Sequence, residues 1–133
     1  MRHLVLILAI TCTAIFTMGC TSTYDHQVNS LKAEPMTSES LLGMQLISKE
    51  DPPTDGGAVK DPAVVAERLF KVDSSDGALQ RVQDEAQVHG WRGLEGAGDA
   101  QTWVAKKDDA QGVEMTLVVS TPDPQTVKVI VAY

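Results

Sequence analysis

Residues 113–133 read VEMTLVVSTPDPQTVKVIVAY, and this stretch decides the fold. It contains two runs rich in β-branched residues, 113–121 and 126–133, separated by the turn residues 122–124 (PDP). β-Branched residues favour strands, and so short a connection joins two strands as an antiparallel hairpin. Aliphatic residues recur at every second position of both runs. They are therefore predicted to share one face of a sheet.

The chain before this hairpin adds strands and one helix. Residues 101–107 are a third predicted strand and 91–94 a short fourth one, so we expect a three- or four-stranded antiparallel meander. Apolar residues recur at helical spacing from about 75 to 89, and Gly90 follows as a C-terminal cap, which predicts one helix packed across the sheet. The Trp directly after Gly90 is expected in the core. The predicted fold class is α+β.

Two segments further upstream have more than one interpretation. Residues 63–72 (AVVAERLFKV) alternate with the period of a strand, which we favour, although Asp61-Pro62 is also a good helix opening. Residues 43–47 suggest a short strand, and a helical turn is nearly as well supported. The intervening residues 51–61 (DPPTDGGAVKD) are a loop by composition. The predicted sheet therefore consists mainly of the C-terminal third of the chain.

The first twenty residues, MRHLVLILAITCTAIFTMGC, have the layout of an export signal. Arg2 supplies the positive start, and the following apolar run of about 13 residues has the length of a signal's hydrophobic region. A membrane-spanning helix needs about 20 mainly apolar residues, and this run gives way to polar residues before that length. Residues 1–19 are therefore predicted to be a cleaved signal peptide.

Residues Thr17-Met18-Gly19-Cys20 resemble the lipobox of bacterial lipoproteins, in which a small residue directly precedes the cysteine. The resemblance implies cleavage between Gly19 and Cys20 and attachment of fatty-acyl chains to Cys20. It places the protein on the extracytoplasmic face of the cell membrane. Thr21 differs from the Asp that retains such lipoproteins at the inner membrane, so a host with two membranes would carry it on the outer one. The alternative is an ordinary secretory signal with an incidental cysteine.

The polar, Ser- and Thr-rich residues 20–40 are predicted to be a flexible tether, because they contain too few apolar side chains to offset the entropy of ordering. Residues 41–133 are then the single folded domain. A coil of this length would hold that domain roughly 25 Å from the membrane. His26 has no partner ligand in the tether sequence and is interpreted as a solvated residue.

The mature chain is acidic. Removal of residues 1–19 takes away Arg2 and no acid, which leaves ten Lys and Arg residues against 18 Asp and Glu residues, a formal charge of −8. This charge argues against nucleic acid as a partner and against electrostatic adhesion to anionic lipid. Cys12 would leave with the signal, so Cys20 is the one remaining thiol, which excludes an internal disulfide and cysteine-based catalysis. We expect attachment through acyl chains, with no cofactor and no metal.

Catalytic motifs are weak in this sequence. No Ser stands in a Gly-x-Ser-x-Gly turn, and Asp108 and Asp109 are interpreted as a solvated turn because their spacing matches no Ca²⁺ loop. His89 is interpreted as a residue packed at the helix end. We therefore expect a non-catalytic binding or interaction module with an envelope protein as partner. Two alternatives are an accessory factor for outer-membrane protein assembly, a weak resemblance based on helices followed by a three-stranded sheet, and a small envelope hydrolase that would depend on His89.

Overall fold

The computed structural model describes residues 22–53 and 63–133. In this part of the chain the helices are α1 (Thr23–Ala33) and α2 (Ala78–Val88), with short 3-10 helices at Pro35–Thr37 and Leu41–Gly43. The strands are β1 (Gln45–Glu50), β2 (Val65–Lys71), β3 (Arg92–Asp99), β4 (Thr102–Asp108), β5 (Glu114–Asp123) and β6 (Thr126–Ala132). They form one antiparallel six-stranded sheet in the order β1-β2-β6-β5-β4-β3.

The prediction of one helix on a three- or four-stranded sheet is wrong. The hairpin of β5 and β6 lies at the centre of the sheet, because β6 pairs along its second side with β2, and β1 pairs with β2. The cause is the alternation of β2, which places Ala66 opposite Val131 and Phe70 opposite Val127. Both residues of β2 are buried. Burying side chains of this kind stabilises a fold by about 1.5–3 kcal/mol for a residue the size of Phe.

The core lies between one face of the sheet and α2. This helix returns from the end of β2 to the start of β3 and contacts β4 and β5, with Val82 and Ala86 fully buried. Gly90 follows with a φ of 87°, and Trp91 is buried beside the helix end. The predictions of this helix, its glycine cap and a core Trp91 are confirmed. The sheet contributes a set of residues with almost no exposed surface: Ala105, Met115, Leu117, Val119, Val129 and Val131.

The prediction of a flexible tether is wrong for the described residues between 22 and 40. Ser22 caps α1, where its side chain accepts a backbone N–H of the first turn at 3.1 Å. Val28 and Leu31 are buried on the inner side of the helix, and Met36 in the next 3-10 helix has no exposed surface. The segment is polar on average, but its few apolar residues stand at helical spacing and share one side. The folded domain therefore begins earlier than predicted.

Strand β3 is longer and less regular than the predicted strand at 91–94. It continues to Asp99, with a bulge against β4 between Gly93 and Gly98. Gly98 has a φ of 95°, and a Cβ atom there would lie 2.2 Å from the carbonyl oxygen of Thr102. Only glycine fits this position without a shift of the backbone.

The two ends of the sheet are covered differently. α1 lies across the end where β5 begins and β6 finishes: His26 contacts Asp109 there, and the Tyr24 hydroxyl donates to the Pro53 carbonyl. We call this the α1 end. The β3–β4 and β5–β6 turns lie at the opposite, or far, end, together with the starts of β1 and α2. The ten residues of β5 run from one end to the other, about 33 Å at the usual rise of a strand.

Candidate functional site

The predicted processing residues, Gly19 and Cys20, lie outside the described residues. The first described residue is Ser22, the N-cap of α1. Cys20 therefore stands two positions before the N-cap of a helix that packs into the core. For this reason the contacts that hold α1 on the sheet are the first candidate site of the molecule.

A buried carboxylate lies at the centre of the contact between α1 and the sheet. His26 Nε2 is 3.1 Å from Asp109 Oδ2, and the Tyr133 hydroxyl donates to the same oxygen at 2.7 Å. The Asp109 side chain is 2% exposed and that of His26 is 24% exposed. The interpretation of His26 and Asp109 as solvated residues is therefore wrong. We call these three residues the His26–Asp109–Tyr133 cluster.

The surroundings of Asp109 favour its charged form. Burial is the largest single influence and raises its pKa, but hydrogen bonds together lower the pKa to about 2. Their donors, in order of effect, are the Val113 N–H, the Tyr133 hydroxyl, the Gln111 N–H and His26. Burial also raises the pKa of Tyr133 to about 12, and the neighbouring Asp109 carboxylate adds to that rise. Under neutral conditions the cluster therefore contains a charged Asp109 carboxylate that accepts a hydrogen bond from the neutral Tyr133 phenol.

The geometry of this cluster is that of a clamp. Ser30 Oγ lies 3.5 Å from His26 Nε2, the same ring nitrogen that faces Asp109. In a Ser-His-Asp relay the carboxylate contacts one nitrogen of the imidazole ring and the serine hydroxyl contacts the other. Here both groups face the same nitrogen, so the cluster does not have the geometry of a relay. The cluster joins α1, the β4–β5 turn and Tyr133.

A second buried carboxylate fastens the C-terminal end of α1. Glu34 is 6% exposed and accepts hydrogen bonds from Trp91 Nε1 at 3.0 Å and from Lys107 Nζ at 3.0 Å. The Lys107 ammonium also lies 5.7 Å from the centre of the Trp91 ring. Each buried polar atom of Glu34 is thus paired, as burial of a charge requires. The sequence offered no signal for this triad, because its members are far apart along the chain.

The remaining chemistry-bearing residue singled out from the sequence is His89. It is the C-cap of α2, and its Nε2 lies 3.1 Å from Glu85 Oε1, one turn back along the helix. The side chain is about one-third exposed. This is a local hydrogen bond on the helix surface, and among the contacts of the described residues His89 lies near neither Asp109 nor His26.

A cavity of about 500 Å³ lies at the far end, between the start of β1, the end of β2 and the start of α2. We call it the far-end cavity. Lys71 and Arg81 line it, as do Asp73 and Asp76, and none of the four forms an ion pair within the described residues. Leu42 stands at its rim with a φ of 51°, a conformation that is strained for a branched residue. The cavity can pair with both a carboxylate and an ammonium group.

The described residues contain no helix long and apolar enough to cross a membrane. Within residues 22–53 and 63–133, no group of three or more His, Cys, Asp and Glu side chains is arranged to hold a metal ion. Comparison of the chain with protein-family models, with curated proteins and with solved structures finds no match in any of the three. Function must therefore be argued from the residues themselves.

Proposed function

We propose that this chain is a bacterial lipoprotein, attached through acyl chains on Cys20 to the extracytoplasmic face of a membrane, whose domain is a non-catalytic binding module. In a host with two membranes the proposed location is the outer membrane. The observation that carries the proposal is the sequence of the first twenty residues, an apolar run of signal length that ends in Gly19-Cys20.

The position of Cys20 relative to the fold supports the proposal. Cleavage before Cys20 would remove residues 1–19, which precede every described helix and strand. Among the described residues the first buried apolar side chain is that of Val28, which comes eight positions after Cys20. Processing at this bond would therefore leave every described helix and strand in the mature protein, with the acyl chains at its start.

Phase separation in Triton X-114 tests the anchor. The wild-type protein from its native host should enter the detergent phase, because two or more acyl chains give stable membrane residence at about 0.8 kcal/mol for each buried methylene. A variant in which residues 1–20 are replaced by an ordinary cleavable secretory signal should remain in the aqueous phase with its fold unchanged. Wild-type protein in the aqueous phase, or a variant that enters the detergent phase equally, would contradict the proposal of an acyl anchor on Cys20.

The proposed binding surface is the far-end cavity. In a protein of formal charge −7, few of the cations in the described residues lack an ion pair, and two of these, Lys71 and Arg81, line this cavity. An envelope protein that presents a carboxylate would find Lys71 and Arg81 available there, while Asp73 and Asp76 would accept a neighbouring ammonium group.

Cross-linking in intact cells, followed by purification from detergent-solubilised membranes, tests this surface. The double variant Lys71→Ala with Arg81→Ala should lose most of the recovered partner. Lys32→Ala, which removes an exposed cation from α1, is the matched control and should recover the partner as wild type does. Equal recovery from all three proteins would exclude the far-end cavity as the binding surface. Recovery of a barrel-assembly complex would instead support the accessory-factor alternative.

A further inference from the structure

We propose that the α1 end of the domain lies directly against the surface of the bilayer and that the far end points away from it. This inference rests on the proposed lipidation of Cys20. It commits to one occupant of the α1 end, a lipid surface rich in zwitterionic headgroups. It replaces the stand-off of roughly 25 Å that a flexible tether of about 20 residues would give.

The segment that joins the lipidated cysteine to the domain is very short. Only Thr21 stands between Cys20 and Ser22, so the two Cα atoms that flank it can be at most about 7 Å apart in a fully extended chain. The acyl chains are attached at Cys20 itself. Ser22 must therefore lie within a few ångströms of the headgroup region.

Ser22 is firmly attached to the domain. It caps α1, and α1 is fixed to the sheet by buried Val28 and Leu31 and by the hydrogen bond between His26 and Asp109. The hydroxyl of Tyr24, two residues after Ser22, also donates to the Pro53 carbonyl. The helix cannot move away from the sheet without breaking these contacts. If Ser22 lies at the membrane surface, the whole α1 end must therefore lie there too.

The charge of the protein bears on the headgroups that it faces. Four exposed acids lie at the α1 end, and two of them are paired with cations: Asp51 with Arg68 and Glu114 with Lys106, whereas Asp25 and Asp108 have no cation partner among the described residues. Because the mature chain has a formal charge of −8, anionic headgroups would repel the protein, whereas zwitterionic headgroups would not. The acyl chains therefore supply the attraction, and the short link supplies the orientation. The far-end cavity is left open to the space outside the membrane, about 33 Å away along β5.

Depth-dependent fluorescence quenching tests this orientation. Cys20 is lipidated in the proposed mature protein and no other cysteine remains, so one added cysteine can be labelled alone. Val113→Cys reports the α1 end and Gln125→Cys the far end. Both are exposed turn residues that flank β5, which makes them a matched pair. The probe is a vesicle of phosphatidylcholine and phosphatidylethanolamine containing a lipid with a nitroxide on its headgroup.

The label at residue 113 should lose most of its fluorescence on reconstitution, and the label at 125 should stay at its vesicle-free intensity. Insertion of 15 Gly and Ser residues between Thr21 and Ser22 should abolish the difference, because a flexible chain of that length spans roughly 20 Å. Equal quenching at both positions with the native link, or stronger quenching at 125, would overturn the orientation.

The intact mass of each labelled protein distinguishes a failure of the proposed orientation from a failure of the proposed lipidation. A protein that carries fatty-acyl mass but shows equal quenching contradicts only the orientation. A protein without that mass contradicts the proposed function, and the orientation with it.

Discussion

Asp109 joins three parts of the chain through one carboxylate. Its side chain accepts from the Tyr133 hydroxyl and from the backbone N–H groups of Gln111 and Val113, and it faces His26 across 3.1 Å. Because the folded-state pKa of about 2 is below the unfolded value near 3.9, the carboxylate stabilises the native state above about pH 4. That contribution is lost as the pH falls through the interval between the two values.

We expect Asp109→Asn to lower the free energy of unfolding by about 1–3 kcal/mol at neutral pH, since it replaces a charged acceptor in a satisfied buried site. The difference from wild type should shrink as the pH falls from about 5 to about 2. Urea unfolding at a series of pH values measures both effects. The neighbouring Asp108→Asn is the control and should change stability by less than about 0.5 kcal/mol, because Asp108 is exposed. A difference that is constant with pH would contradict the role of Asp109.

Residue roles could be predicted only where the reason was local. Gly90 was recognisable because it follows an amphipathic helix, and Trp91 because it follows a helix cap. His26 and Asp109 are 83 positions apart, and each looks solvated within its own segment. Their pairing depends on α1 crossing the end of the sheet, which a single sequence does not encode in any local pattern.

At the scale of elements, α1 decides where the domain begins. If it were part of a tether, its apolar residues would have no effect on folding. Instead, Leu31 is 1% exposed, and we expect Leu31→Ala to destabilise the domain by about 2–4 kcal/mol by leaving a cavity. Asn29→Ala on the exposed side of the same helix should change stability by less than about 0.5 kcal/mol. Equal urea midpoints for the two variants would support the alternative that this segment is a flexible tether.

The bulge of β3 gives a second test at this scale. In Gly98→Ala the new Cβ would meet the Thr102 carbonyl oxygen at 2.2 Å, in addition to the strain of a φ of 95°. In Gly96→Ala only the strain of a φ of 75° arises, since no atom lies within 4 Å. We expect a loss of about 1 kcal/mol for Gly96→Ala and a loss of about 3 kcal/mol for Gly98→Ala. Thermal unfolding of both variants checks the order, which would be reversed or absent if the bulge were elsewhere.

The elements that could be predicted are those with strong periodicity. α2 and strands β4 to β6 carry regular apolar patterns, and their positions agree with prediction to within a few residues. β2 was identified as a favoured strand, but nothing in its sequence says that it pairs with β6. α1 has only two buried apolar residues, so its average composition resembled that of a linker.

At the scale of the whole molecule, acidic charge and acyl attachment make different predictions for membrane binding. A protein held by charge leaves the membrane at high salt, where the screening length falls to about 3 Å. This protein, with a formal charge of −7, should stay in the membrane fraction after a wash in about 1 M NaCl. Release into the supernatant would show that the acyl chains do not carry the attachment. The distribution of the protein between pellet and supernatant gives the readout.

The most direct measurement of the central claim is the intact mass of the protein isolated from membranes of its native host. We predict a chain whose first residue is Cys20 and which has the added mass of a glyceryl group and fatty-acyl chains. A chain cleaved at another bond, or one that starts at Cys20 without added mass, would contradict it.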